Sequence, residues 1–194
     1  MSFKCQKCDQ VVSGSDIIWH QTECVRTLLK ASVDTKETGE SYMEIDHDVG
    51  FTGTQQGCAE RQLAALVGLL RQLQKRGAVR LRHGACIGAD EQAHAVARRI
   101  GLGVFKHPPS DTSKMAECPM LPGEETAEPD EYLKRNRAIV DGAPILVATP
   151  KEEEGEALRS GTWATVRYAR KRGRVIYIVR PSGKIERETH NVSY

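Results

Sequence analysis

Val49-Gly50-Phe51-Thr52-Gly53-Thr54-Gln55-Gln56-Gly57 is the stretch that decides the fold. A short apolar run enters a turn of glycine and threonine. A helical stripe follows, with Leu63, Leu66, Val67, Leu70 and Leu73 at three- and four-residue spacing. Strand, small-residue turn and helix make the opening of a βα unit. Small residues there let the backbone approach a ligand closely. The helix N-terminus behind them offers free N–H groups and a partial positive charge, which suits phosphate.

The pattern recurs downstream. Residues 79–83 form a second strand run, and His83-Gly84-Ala85-Cys86-Ile87-Gly88-Ala89-Asp90 turns it into a helix over 89–100. A short third strand is expected over 103–107. Residues 108–128 contain Pro108, Pro109, Pro119 and Pro122 and little periodicity, which reads as a long surface loop of the kind that often forms a lid. Pro129 suits the first turn of a helix that carries Arg135-Asn136-Arg137. The apolar run 144–149 is a central strand. Ser160-Gly161-Thr162 opens a helix to residue 171, and 174–179 is a fifth strand. Residues 181–194 read as a turn and short extension. The expectation is an α/β fold: a doubly wound, mainly parallel, five-stranded Rossmann-like sheet over 47–194, with its turns gathered at the carboxyl edge.

Ahead of this unit, Cys5, Cys8, His20 and Cys24 are spaced C-x2-C-x11-H-x3-C. Two thiolates on a tight knuckle and a His/Cys pair one helical turn apart supply the four donors that tetrahedral zinc prefers. Ser15 suits the N-cap of the ligand-bearing helix, and Phe3, Ile17 and Leu28 are its candidate core. Residues 1–31 therefore read as a C2HC zinc finger holding one structural Zn2+, needed because so small a unit cannot fold on its apolar core alone. Residues 32–46 are polar and aperiodic, and read as a linker. The finger resembles compact C2HC modules, including the ubiquitin-binding type of DNA-repair proteins. Its expected role is contact with a protein partner or self-association rather than DNA reading.

Composition is that of a globular protein, with 28% charged and 39% apolar residues. The charge is uneven: residues 1–46 carry a balance of −3 and residues 161–194 one of +6. No apolar run is long enough to span a bilayer, and the N-terminus has no apolar signal core, which points to the cytoplasm. In a reducing compartment the six cysteines read as ligands or core residues rather than disulfides.

Taken together, Gly-Phe-Thr-Gly-Thr, His-Gly-Ala-Cys-Ile-Gly-Ala-Asp-Glu-Gln-Ala-His, Lys-Arg-Asn-Arg-Ala-Ile-Val and Ser-Gly-Thr-Trp-Ala-Thr resemble the SLOG superfamily over residues 47–181. The YspA-like branch and the Rossmann domain of DNA-processing protein A are the nearest in pattern. The resemblance implies a Rossmann-like domain that binds a nucleotide or nucleotide-derived molecule. Carried over by position, Gly53 and Thr54 approach a phosphate or sugar, and Gly84, Gly88 and Asp90 shape the second turn. Arg135, Asn136 and Arg137 face the pocket, and Ser160, Gly161 and Thr162 form the main phosphate cradle. Asp90 has two open readings, helix cap and ligand contact.

One departure bears on chemistry. The SLOG branch that cleaves cytokinin nucleotides carries Pro-Gly-Gly-x-Gly-Thr-x-x-Glu at the last turn. This chain lacks the Gly-Gly pair and has Thr165 where that glutamate, the acid/base of the hydrolysis, would stand. A hydroxyl cannot do a carboxylate's proton chemistry near neutral pH. A sensor-type binding domain is therefore the leading expectation. N-glycosidic hydrolysis of nucleoside monophosphates, with a carboxylate from 152–156, is the first alternative. Single-stranded DNA binding helped by Arg167, Arg170, Lys171, Arg172 and Arg174 is the second. His83, His94 and His107 show no metal-ligand spacing with one another in the sequence.

Overall fold

The computed structural model describes residues 47–189 in full; of the rest it describes only the backbone of two short strands. The chain divides into two compact units, Met1–Met43 and Glu44–Tyr194. In the first, β1 (Ser2–Lys4) pairs antiparallel with β2 (Val11–Ser13), Phe3 opposite Val12. Cys5, Cys8, His20 and Cys24 lie outside the described residues.

The second unit alternates strands and helices. In order they are β3 (His47–Gly53), α1 (Glu60–Gln74), β4 (Ala78–His83), α2 (Ala89–Ile100), β5 (Gly103–Lys106) and β6 (Glu125–Thr126). Then come α3 (Tyr132–Asp141), β7 (Ile145–Thr149), α4 (Gly161–Lys171), β8 (Val175–Val179) and β9 (Ile185–Glu188). The sheet has seven strands in the order β6-β5-β4-β3-β7-β8-β9, all parallel except β9. This corrects the expected count of five. Both extra strands are edges: β6 is two exposed residues, and β9 pairs antiparallel with β8 after a turn in which Gly183 adopts φ +89°. Neither has the apolar run by which a buried strand announces itself.

Alternation along the strands sorts side chains to two faces. Leu146 and Ala148 of β7 and Ile176 and Ile178 of β8 join Val140 of α3 and Trp163, Val166 and Ala169 of α4 in one buried cluster. Val49 and Phe51 of β3 are fully buried and alternate with Gly50, whose Cα lies so close to α3 that an added Cβ would sit 3.1 Å from Ile139 Cγ2. Leu66 and Leu70 of α1 are wholly buried, and a single leucine truncation at such a position costs about 2–5 kcal/mol.

Strand order decides where a ligand can enter. The chain runs outward from β3 through β4, β5 and β6, then returns to β3's other side as β7. At that reversal the connections after β3 and β7 leave the sheet in different directions and open a crevice at the carboxyl ends. Val49–Gly53 pairs in register with Ile145–Thr149, so Gly53 and Thr149 finish side by side.

Candidate functional site

A cleft of about 320 Å3 lies at this switch point. It is lined from one side by Gly53, Thr54, Gln55 and Gln56 of the first turn, and from the other by Arg159, Ser160, Gly161 and Thr162 at the start of α4. Lys151, Glu152 and Tyr132 complete the wall. Five of the predicted ligand residues, Gly53, Thr54, Ser160, Gly161 and Thr162, thus stand around one space.

Its wall is rich in hydrogen-bond donors and cations. Ser160 caps α4, its hydroxyl accepting the Trp163 N–H at 3.4 Å. Among the described residues the N–H groups of Gly161 and Thr162 have no partner, and neither does the Thr162 hydroxyl, although Thr162 is only 5% exposed. Unpaired N–H groups at a helix start carry the positive end of its dipole. Lys151 and Arg159 add two cations with no acid partner among the described residues. A Cβ on Gly161 would meet the hydroxyl and ring of Tyr132, so a larger residue there requires that exposed side chain to move. The one carboxylate in the wall, Glu152, accepts the Trp163 indole N–H at 2.9 Å.

The second turn is built from the same residue types and used differently. Gly84 has no room for a side chain: a Cβ would lie 2.8 Å from both the Arg135 guanidinium and Asp90 Oδ2. Arg135 is 3% exposed and donates to the Gly84 carbonyl at 2.6 Å, to Cys86 Sγ at 3.4 Å and to Asn136 Oδ1 at 3.3 Å. Asp90 accepts the Cys86 N–H at 3.2 Å. Burial pushes its carboxyl up to about 6, against the pull of Arg135 and the N–H groups of Cys86 and Gly84. Gly88, at φ +88°, packs against the Gln55 carbonyl, and the Ala89 N–H at the start of α2 is spent on the Thr54 carbonyl at 3.0 Å. Gly84, Gly88, Asp90, Arg135 and Asn136 therefore stand behind the first turn as a buried brace, none of them in the wall of the cleft.

Arg137 lies elsewhere. It is exposed and lines a groove of about 280 Å3 between α3 and α4 with Leu133, Arg167, Tyr168 and Lys171. Much of the basic C-terminal charge is neutralised locally. Arg170 bonds Glu188 and Glu156, Arg172 bonds Asp141, and Arg174 and Arg167 donate to the Asp141 and Leu158 carbonyls. Thr165 is buried and locked, accepting from Asn136 Nδ2 at 2.8 Å and donating to the Gly161 carbonyl at 2.9 Å.

Two features escaped the sequence. Arg159 and Tyr132 join the cleft; Arg159 directly precedes the Ser-Gly-Thr turn, whereas nothing local marks Tyr132. The long loop is also held down rather than free. Glu124 pairs with Arg98, accepts the Val104 and Leu121 N–H groups, and the Ala116 N–H bonds the Ala85 carbonyl at 2.8 Å. This packing carries Cys118 into the interior beside His83 and His94, all three buried, with donor atoms within 4.8 Å of one another. Burial lowers both imidazoles and pushes the Cys118 thiol up to about 12.

No protein family and no curated protein matches the chain in sequence. Solved structures match it in fold. The molybdenum cofactor binding protein from the phototrophic bacterium Rippkaea orientalis superposes with a TM-score of 0.54 at 16% identity, over 71% of this chain and 78% of its own. TM1055, a structural-genomics target, follows with a TM-score of 0.51 at 17% identity, over 67% of this chain and 72% of its own. DNA processing protein A from Streptococcus pneumoniae matches with a TM-score of 0.49 at 19% identity, over 69% of this chain and 50% of its own. The fold is Rossmann-like. Among the described residues no helix is long and apolar enough to cross a membrane.

Proposed function

We propose that residues 47–194 form a sensor-type receptor for a phosphorylated, nucleotide-like small molecule, bound in the cleft between the first turn and α4. The observation that carries this reading is the convergence there of unspent donors: the Gly161 and Thr162 N–H groups, the Thr162 hydroxyl, Arg159 and Lys151. The Thr162 hydroxyl and the two N–H groups open onto the cleft, where a ligand oxygen would take the place of solvent. A phosphate suits the helix start, and Gln55 and Gln56 offer amide edges to whatever group it carries. Residues 1–31 are proposed to bind one Zn2+ through Cys5, Cys8, His20 and Cys24 and to mediate partner contact or self-association, in a cytoplasmic protein.

The test is calorimetric titration with inorganic phosphate, the common nucleoside monophosphates and the molybdenum cofactor, for whose binding a structural neighbour is named. At least one phosphorylated compound is expected to bind, with affinity falling roughly tenfold or more in Arg159→Ala and Thr162→Val, as loss of charge-assisted or buried hydrogen bonds implies. Binding that ignores both substitutions sinks the reading. Glu152 supports a second reading, hydrolysis of a nucleoside monophosphate, since it brings a carboxylate to the cleft that Thr165 cannot replace. Free base released at turnover, and lost in Glu152→Gln, would establish it.

A further inference from the structure

We propose that His83, His94 and Cys118 bind one divalent ion of borderline softness, with zinc as the natural candidate. These residues differ from the N-terminal donors and from those lining the cleft, and the proposal does not depend on the ligand reading above.

Three elements build it. His83 ends β4, His94 lies in α2, and Cys118 is brought in by the loop that Glu124 and Arg98 clamp. Two imidazoles and a thiol are a donor set chosen by zinc, cobalt and nickel rather than by calcium or magnesium. All three residues are at most 5% exposed, and Cys118 packs with Ala85 and Ala116 in a small apolar shell. His83 Nε2 and His94 Nδ1 are 3.1 Å apart, close to the roughly 3.3 Å that two nitrogens take on a tetrahedral ion at bonds of about 2.0–2.1 Å.

In the metal-free chain the pair is held by one proton. His83 Nδ1 accepts the Ala85 N–H at 3.1 Å, so Nε2 carries the hydrogen and donates it to His94 Nδ1. His94 Nε2 is then a buried donor that lies near the Pro119 carbonyl without forming a good hydrogen bond. An ion takes the place of the shared proton. The Cys118 thiol proton leaves to solvent, and the His83 proton moves to Nδ1, which breaks the Ala85 N–H bond. His94 keeps its Nε2 hydrogen, and closing that donor onto the nearby Pro119 carbonyl would orient the metal-bound imidazole. Three protein donors leave a fourth position for water.

Cobalt(II) is the probe, because a thiolate–cobalt bond gives its own charge-transfer absorption. The full chain is used with Cys5→Ser, Cys8→Ser and Cys24→Ser, so that the N-terminal donors cannot contribute. One cobalt per chain is expected to survive gel filtration with the thiolate band present, and zinc should displace it. Adding Cys118→Ala should abolish the band and weaken binding roughly tenfold or more. His94→Gln should weaken binding similarly and serves where Cys118→Ala impairs folding, judged by circular dichroism. The Ala85 amide resonance should shift on metal addition. The proposal falls if the triple-serine chain retains no cobalt, or if a folded Cys118→Ala or His94→Gln chain retains as much as its parent. Either result leaves a hydrogen-bonded histidine pair in the core.

Discussion

The first and second turns of the sheet use nearly the same residues and end in opposite states. After β3, Gly53 and Thr54 open onto a cleft whose far wall, the start of α4, keeps its donors unspent. After β4, Gly84, Gly88 and Asp90 meet a buried guanidinium and the back of the first turn, and the α2 start is occupied by the Thr54 carbonyl. The first turn lies at the switch point of the strand order, where neighbouring connections diverge; the second lies within a run of like connections, where they pack. A glycine-rich turn is thus a site only where the topology leaves space in front of it.

The largest test of this contrast is Arg135→Met. It removes the cation that faces a buried carboxyl, and stability is expected to fall by about 3–5 kcal/mol in chemical denaturation. A loss under about 1 kcal/mol would mean that Arg135 does not brace the turn. Gly88→Ala places a Cβ against the Gln55 carbonyl at a positive φ and should cost about 1–3 kcal/mol. It should also weaken phosphate binding, because the first turn leans on it.

The two buried groups in this region make opposite pH predictions. Burial and Arg82 lower His107 from 6.5 to about 4. Its contribution is full above 6.5 and is lost as pH falls toward 4. Asp90 is raised from 3.8 to about 6, so its contribution is full below 3.8 and is lost as pH rises through 6. In the parent the two partly offset between pH 4 and 6. His107→Asn should flatten or reverse the acid loss of stability, and Asp90→Asn should steepen it; identical pH profiles for parent and variants would refute the assignment.

The smallest effect is expected on the open side. Arg159 is exposed and has no partner among the described residues, so Arg159→Ala should move stability by no more than about 0.5 kcal/mol while weakening anion binding. A large stability loss would show that the cleft wall is structural and would erase the contrast.

Some of this was legible beforehand. The helical stripe at Leu63, Leu66, Leu70 and Leu73 and the apolar run of β7 appear with nearly the bounds expected, because burial on one or both faces forces those periodicities. The edge strands β6 and β9 were hidden, since an edge strand is held by backbone hydrogen bonds that leave no apolar signature. Arg135-Asn136-Arg137 read as one ligand-facing group. At 100° per residue a helix cannot point three successive side chains the same way, and Arg135 turns inward while Arg137 faces outward.

By itself the sequence determined the class of fold and the places where strands hand over to helices, because local periodicity and turn chemistry are properties of neighbouring residues. Which turns stay open, and which distant side chains meet, only the tertiary structure decided. Strand order put Ser160 beside Gly53, and a clamped loop put Cys118 beside His83 and His94. Contacts between residues far apart in the chain follow from packing the whole sheet, and no short stretch contains them.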